Sequence, residues 1–212
     1  MSMLGGGYSY NTYRKGGQRS PFKNGKEVGI KVADCIEDLM KVFAIRSAVY
    51  LSEQECPYDE EFDGNDFSAS HLIGYIGDEP VACMRVRYFA DFAKLERFAV
   101  RQAYRKSRVA ITMAKAAIEL CRMKGYTKIY GHAQDPLVSF WSRFGGKPVE
   151  PRRELIFSDY RYTEILIEVE PHPDAISLKT DPYVLIRPEG QWDTPGVLDQ
   201  SSTRSTPSST AA

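Results

Sequence analysis

AKLERFAVRQAYRKSRVAITMAKAAIELCRMKGYTKIYGHAQ, residues 93–134, decides the fold. Its first eight residues read as a strand, and a period of two places Glu96, Phe98 and Val100 on one face. A polar stretch, 101–106, leads to Ser107, a residue type that caps helices, and the helix then runs to Lys124 and stops at Gly125. Lys128–Gln134 is again a strand. Strand, helix and strand in this order make a β-α-β unit, and sheets of this kind bind ligands at the carboxyl ends of their strands.

Working outward, Asp34 is placed to cap a helix over 35–52, with Glu37 three residues on and Ile36, Met40, Phe43 and Tyr50 at roughly helical spacing. A charged loop covers Glu53 to Asp66, and a hairpin follows from His71–Ile76 and Val81–Tyr88 around Gly77-Asp78-Glu79-Pro80. Downstream lie a short helix over Leu137–Phe144, ended by Gly145-Gly146, and a strand over Glu164–Glu170. The expected fold is α/β of the α+β type: a mixed, mainly antiparallel central sheet with a β-α-β core and flanking helices.

The 212 residues suffice for one domain with tails, here divided as an arm (1–26), a domain (27–175), an extension (176–199) and a tail (200–212). The arm is rich in Gly, Ser, Tyr and basic residues without a period, and reads as flexible. The Ser/Thr-rich tail reads as disordered. In the extension, Tyr183–Ile186 is a candidate strand, and Trp192 is placed to dock on the domain or on a second copy, so a homodimer is left open. Lys+Arg and Asp+Glu are 28 each, which implies neither a nucleic-acid nor a membrane partner. Cys35, Cys56, Cys83 and Cys121 lack metal-ligand spacing; no metal is expected, and reduced thiols with a cytoplasmic location follow as defaults.

The chemistry concentrates in 100–110, VRQAYRKSRVA, where a strand meets a helix N-terminus with unpaired amides, a positive dipole and the cations Arg105, Lys106 and Arg108. This segment resembles the pyrophosphate loop of the Gcn5-related N-acetyltransferase superfamily, of the form R/Q-x-x-G-x-G/A. Arg105 and Ala110 match it, while Lys106 and Arg108 replace glycines and Gln102 the usual proline. The stretch 45–72, IRSAVYLSEQECPYDEEFDGNDFSASHL, looks like the N-terminal signature of a bacterial branch, and FWSRFGGKP resembles the family's last-helix segment. The likeness runs in order over about residues 35–170. Asp63 and Asp66, with Arg46 and Arg85, are also similar to acyl-homoserine lactone synthases, although the E-x-x-R-F strand of that group is not reproduced.

The resemblance implies an acyl-CoA-dependent N-acyltransferase carrying acetyl from acetyl-CoA to a small-molecule amine by direct attack in a ternary complex. Alternatives are a longer-chain transferase of the homoserine lactone or N-acyl amino acid synthase type, and a non-catalytic CoA-binding module. It assigns the co-substrate to Phe98, Ala99, Val100, to the loop Arg105, Lys106, Ser107, Arg108, Val109, Ala110, and to Gln134 and Trp141. Trp141 stands where relatives carry a tyrosine that protonates the leaving thiolate, and an indole N–H donates a hydrogen bond but is a very poor acid. Glu96 is the candidate catalytic base, or else the partner in a structural ion pair. Arg46, Arg85 and Arg87 are candidates for acceptor binding, with pairing to Asp63, Asp66 or Glu96 as the other reading. His132 is a base or a satisfied buried histidine.

Arg108 departs most from the loop pattern. A side chain pointing along the first helical turn can return its guanidinium to a phosphate oxygen, a bond of about 1.5–3 kcal/mol against roughly 1 for a neutral one. Arg108→Ala is expected to weaken CoA binding about tenfold or more, and pantetheine binding less, with Arg108→Gly recovering part of the loss. Calorimetric titration checks this; CoA binding that appears only in Arg108→Gly would mean that the side chain blocks the loop.

Overall fold

The computed structural model describes residue 11 and residues 27–203. The chain runs β1 (Val28–Val32), α1 (Ile36–Arg46), α2 (Tyr58–Glu61), β2 (Ser70–Ile76), β3 (Glu79–Tyr88), β4 (Ala93–Val100), α3 (Val109–Met123), β5 (Lys128–Gln134), α4 (Val138–Ser142), β6 (Lys147–Pro148), β7 (Leu155–Phe157), β8 (Tyr160–Glu168) and α5 (Pro182–Leu185). The strands form one sheet in the order β1-β2-β3-β4-β5-β8-β6, with β7 also on β8. Every pairing is antiparallel except β4 with β5, the two strands joined through α3. The expected mixed sheet and its β-α-β centre are therefore present.

Two apolar layers clamp the sheet. On one face α3 buries Val109, Met113, Ala117, Leu120 and Cys121 against Leu72, Met84, Val86 and Leu95. Gly74 allows this approach, since a Cβ there would meet Val109 Cγ2 at 2.9 Å. On the other face Val42, Ile45 and Val49 cover Ile73, Tyr75, Cys83 and Ala99. Burying apolar area on both faces at roughly 25 cal/mol per Å² holds the three layers together.

The first helix differs from its sequence reading. Its α-helical part ends at Arg46 and continues as a π-helix, Ser47–Glu53. Ile36 and Met40, expected on the apolar stripe, are 77% and 65% exposed; the buried stripe is Val42, Ile45 and Val49. Asp34 does not cap it: Cys35 holds that position, Asp38 accepts the Asp34 amide, and Lys31 reaches both carboxylates. Strand β1 was absent from the sequence reading, and so were β6 and β7, which are too short to show a period. Tyr183–Ile186 is not a strand: Pro182–Leu185 is a helical turn capped by Asp181, whose carboxylate accepts the Tyr183 amide at 2.8 Å.

The segment after β8 crosses the α3 face. Ile176 donates its amide to Met123 O, and Glu189 accepts from Ser70 Oγ and Lys124 Nζ at 2.9 and 2.7 Å. Gly190, at φ 74°, lies so close to Val32 that a Cβ would meet its methyl at 2.5 Å. Trp192 joins the core of this same chain at 7% exposure. The flexible arm and the disordered tail of the sequence reading fall outside the described residues, apart from Asn11 and the start of the tail.

Trp192→Ala is expected to cost about 3–5 kcal/mol, the range for truncating a buried aromatic. Urea unfolding checks this, and an unchanged midpoint would show that the ring contributes nothing to the core.

Candidate acyl-transfer site

β4 and β5 start as neighbours and then part. Their parallel ladder has three rungs, Ala93↔Ile129, Lys94↔Tyr130 and Leu95↔Gly131. Beyond them β4 stays with β3 through Val100, while β5 stays with β8 through Gln134. The cause lies within β4. Arg85 faces Glu96 but Cys83 faces Ala99, so Arg97 and Phe98 together oppose Met84. Arg97 takes the left-handed φ of 49°, the geometry of a bulge that bends and twists a strand. Its guanidinium reaches Glu60 O at 2.6 Å and Asp63 at 3.1 Å.

The bulge also corrects the face assignment. Phe98 and Val100 pack towards α3, whereas Ala99 packs towards α1. Glu96 lies with Arg85 on the α1 side and not with Phe98 and Val100, because the extra residue switches the alternation.

The parted strands open a cleft of about 700 Å³. Glu96–Phe98 form one wall and His132–Gln134 the other, with Trp141 at the base and Ile156, Phe157 and Tyr162 from the last hairpin at the rim. Strand edges released inside a sheet carry amides and carbonyls that need partners, and an extended ligand supplies them. Trp141 is enclosed and meets Phe98 at 5.9 Å between ring centroids.

At the end of β4 the chain enters α3. Thr112 is the first residue to bond back, to Arg108 O, so the preceding amides have no partner within the helix. Ser107 Oγ accepts the Val109 amide at 3.3 Å and so contributes to the cap, although Arg108 occupies the N-cap position. Arg105 is turned back on the loop, bonded to Val100 O at 3.0 Å and paired with Glu53. Lys106 and Arg108 are exposed and make no side-chain hydrogen bond or ion pair among the described residues. Arg108 has φ −82° and ψ −1°, so its backbone does not require glycine.

Beside the cleft is a web of charges. Arg85, 1% exposed, donates to Asp63 through both terminal nitrogens at 2.7 Å, to Asp66 at 3.0 Å and to Glu96 at 2.7 and 2.9 Å. Arg46, 0% exposed, bonds Glu61 and Asp66 beneath Phe43 and Phe62. Arg46 does not line the cleft, and the donors of Arg85 are committed to carboxylates, so the structural reading fits both. Arg87 lies over the Phe89 ring and lines the cleft with Lys94.

Burial raises Asp63, Asp66 and Glu96, and the cations more than reverse it, leaving all three below their ordinary values. For Glu96 the cations are Lys94 and Arg85. A carboxylate so held is a weak base. Glu61 runs the other way, raised by burial beyond what Arg46 offsets. Away from the cleft, Asp34, Cys35 and Asp38 come together, but Lys31 Nζ stands 2.9 and 2.6 Å from the two carboxylates, where a cation would be redundant.

Some residues of the site escaped the sequence reading. Tyr50 lies in the π-helix and Gln54 directly follows it, Phe157 and Tyr162 come from a hairpin whose first strand was not seen, and Glu164 stands opposite His132 across β5 and β8. The alternation of Tyr130, His132 and Gln134 was the only available signal for this wall.

A family model described as the acetyltransferase (GNAT) family matches residues 37–145, and the chain belongs to that family. Protein ElaA of Escherichia coli is 31% identical over 120 residues, 54% of this chain and 78% of that protein. The Bacillus subtilis N-acetyltransferase YjcF is 30% identical over 109 residues, 51% of this chain and 78% of that protein. The crystal structure of ElaA aligns with 68% of this chain and 99% of its own at TM-score 0.59 and 26% identity. An acyl-CoA N-acyltransferase from Pseudomonas aeruginosa aligns with 67% and 99% at TM-score 0.59 and 21% identity, a likeness of fold. The splayed sheet is thus that of an acyl-CoA N-acyltransferase.

The depressed carboxylates carry a pH signature. Each stabilises the fold above its unfolded value, about 4, and that stability is lost as pH falls through the lower folded value. Unfolding free energy is expected to drop between about pH 5 and 2, and Asp63→Asn to be less stable at neutral pH with a shallower acid fall. Denaturant titrations at several pH values check this; an unchanged acid slope would remove Asp63 from the network.

Proposed function

We propose that this protein transfers acetyl from acetyl-CoA to a small primary amine by direct attack in a ternary complex. The observation that carries the reading is the parting of β4 and β5 beside the start of α3. In this reading the acyl arm adds to the freed edge of β4 over Phe98, Ala99 and Val100, where the amides that alternate away from β3 polarise the thioester carbonyl. The pyrophosphate meets the amides of this loop that have no partner, those of Lys106, Arg108 and Ala110, with the Lys106 and Arg108 side chains supplying charge. Gln134 and Trp141 line the pantetheine path, and the amine enters past Arg87 and the Ile156–Phe157 rim.

Acetyl is favoured over a long acyl chain by volume. Beside the open cleft of about 700 Å³, the pocket between Leu95, Gly131, Trp141 and Ile165 is about 10 Å³, room for one water. An octanoyl chain needs an enclosed apolar channel there. Arg108 in an ordinary backbone conformation supports an open loop rather than a blocked one. Glu96, clamped by Lys94 and Arg85, is proposed to fix the cleft wall and attract the incoming ammonium rather than to remove its proton.

Thiol release from acetyl-, octanoyl- and palmitoyl-CoA, each with a panel of primary amines (phenethylamine, cadaverine, glucosamine and a peptide with a free N-terminus), tests the proposal. Acetyl-CoA is expected to exceed the longer thioesters at least tenfold. Faster release from octanoyl- or palmitoyl-CoA would transfer the reading to a long-chain enzyme, and CoA binding without release from any pair would leave a binding module.

A further inference from the structure

The proton lost by the acceptor amine needs a destination, and Glu96 is poorly suited to it. Across the cleft, three side chains form a chain of hydrogen bonds. Tyr130 and His132 share a face of β5, and Glu164 of β8 is the cross-strand partner of His132. Tyr130 Oη donates to Glu164 Oε1 at 2.5 Å and lies 2.8 Å from His132 Nε2. A phenol has one proton, and an ionised carboxylate can only accept it. The Tyr130–His132 contact is then a hydrogen bond only if Nε2 carries the imidazole proton and donates to Tyr130 Oη.

That fixes the tautomer and leaves Nδ1 with the free lone pair. Nδ1 has no hydrogen-bond partner among the described residues, and His132 lines the cleft. Its ring stacks on Phe157 of β7 at 5.5 Å and 19°, so ring tilt is restricted as well. The charged groups facing it are Lys94 and Glu96 from β4 and Glu164 from β8, the last with Arg153 at 3.8 Å. Burial first, then Lys94, lowers the tendency of His132 to protonate, so the ring is neutral at neutral pH and ready to accept. Burial and the bond to Glu164 raise Tyr130, which keeps its proton.

We propose that His132 is the base of the reaction, taking the proton of the acceptor ammonium on Nδ1, with Tyr130 and Glu164 as positioning residues that hold the ring in the tautomer this requires. The inference rests on the acyl-transfer reading of the same cleft. The ammonium gives one proton to Nδ1 and becomes a free amine. Its lone pair forms the C–N bond at the thioester carbonyl, the C–S bond breaks with its electron pair going to sulfur, and the second nitrogen proton passes to the thiolate. His132 then holds one extra proton, stabilised through Tyr130 by the Glu164 carboxylate and released to solvent.

Two measurements test this, one of which needs no acceptor. Long-range 1H–15N spectra, with His132 assigned from a His132→Gln variant, are expected to show protonated Nε2 and bare Nδ1. Tyr130→Phe is expected to raise the share of the Nδ1–H form. A proton on Nδ1 in the parent protein would overturn the proposal whether or not an acceptor is known. With the best amine of the panel, His132→Gln is expected to lower kcat/KM about 100-fold at neutral pH while CoA affinity stays within twofold, the loss shrinking at high pH where the amine is already free. Tyr130→Phe is expected to lower it about tenfold and move the acid limb of the pH profile to lower pH, because the imidazolium loses its partner. Equal losses at every pH in both variants would assign the pair a structural role and overturn the proposal. Failure of acetyl-CoA to bind would count against the transferase reading and leave the tautomer result standing.

Discussion

A guanidinium taken wholly out of water needs its N–H donors met. For Arg85 the acceptors are three carboxylates from two places in the chain: Asp63 and Asp66 in the segment after α2, and Glu96 on the next strand. Removing one partner of such a buried set typically costs about 3–5 kcal/mol, because a charge is left uncompensated. The web therefore fixes more than itself. It ties the α2 segment onto the sheet, and that segment holds Arg97 through Glu60 O and Asp63. With Arg97 held in its left-handed conformation, β4 turns from β5 and the cleft opens.

The α3 end depends on a different contact. Gly74 lets the helix lie close to β2, which sets where its N-terminus meets the end of β4. The open amides at the start of α3 and the parted strands thus come from two separate supports, one of tight apolar packing and one of buried charge. Substitutions at the two supports fail differently. Loss of packing leaves a cavity beside α3, whereas loss of a carboxylate leaves a buried charge uncompensated.

Much of this was legible in the residues. The β-α-β centre was read from one stretch because a strand period, a capping serine and a stopping glycine all fell in register there. The loop at 105–110 was legible from charge and position together. The bulge was not, since Glu96, Phe98 and Val100 alternate as in a regular strand, and only the pairing with β3 reveals the extra residue. Arg46 and Arg85 look like surface cations in one dimension; their burial follows from acidic partners 11–22 positions away. The Tyr130–His132–Glu164 chain depends on a register between β5 and β8 that no local pattern encodes.

Trp192 sets the molecule's boundary well beyond the stretch that the family model matches. The family match spans residues 37–145, and strands β1 and β8 already extend the sheet past it on both sides. The indole lies further on again, within the same apolar layer as Leu72 and Met84. The stretch that the family model matches is therefore smaller than the unit that folds. A gene fragment cut at residues 37 and 145 would encode the loop before α3 and the splayed strands but would leave a hole in their support. A fusion partner joined at residue 146 would take the place of part of the protein's own interior.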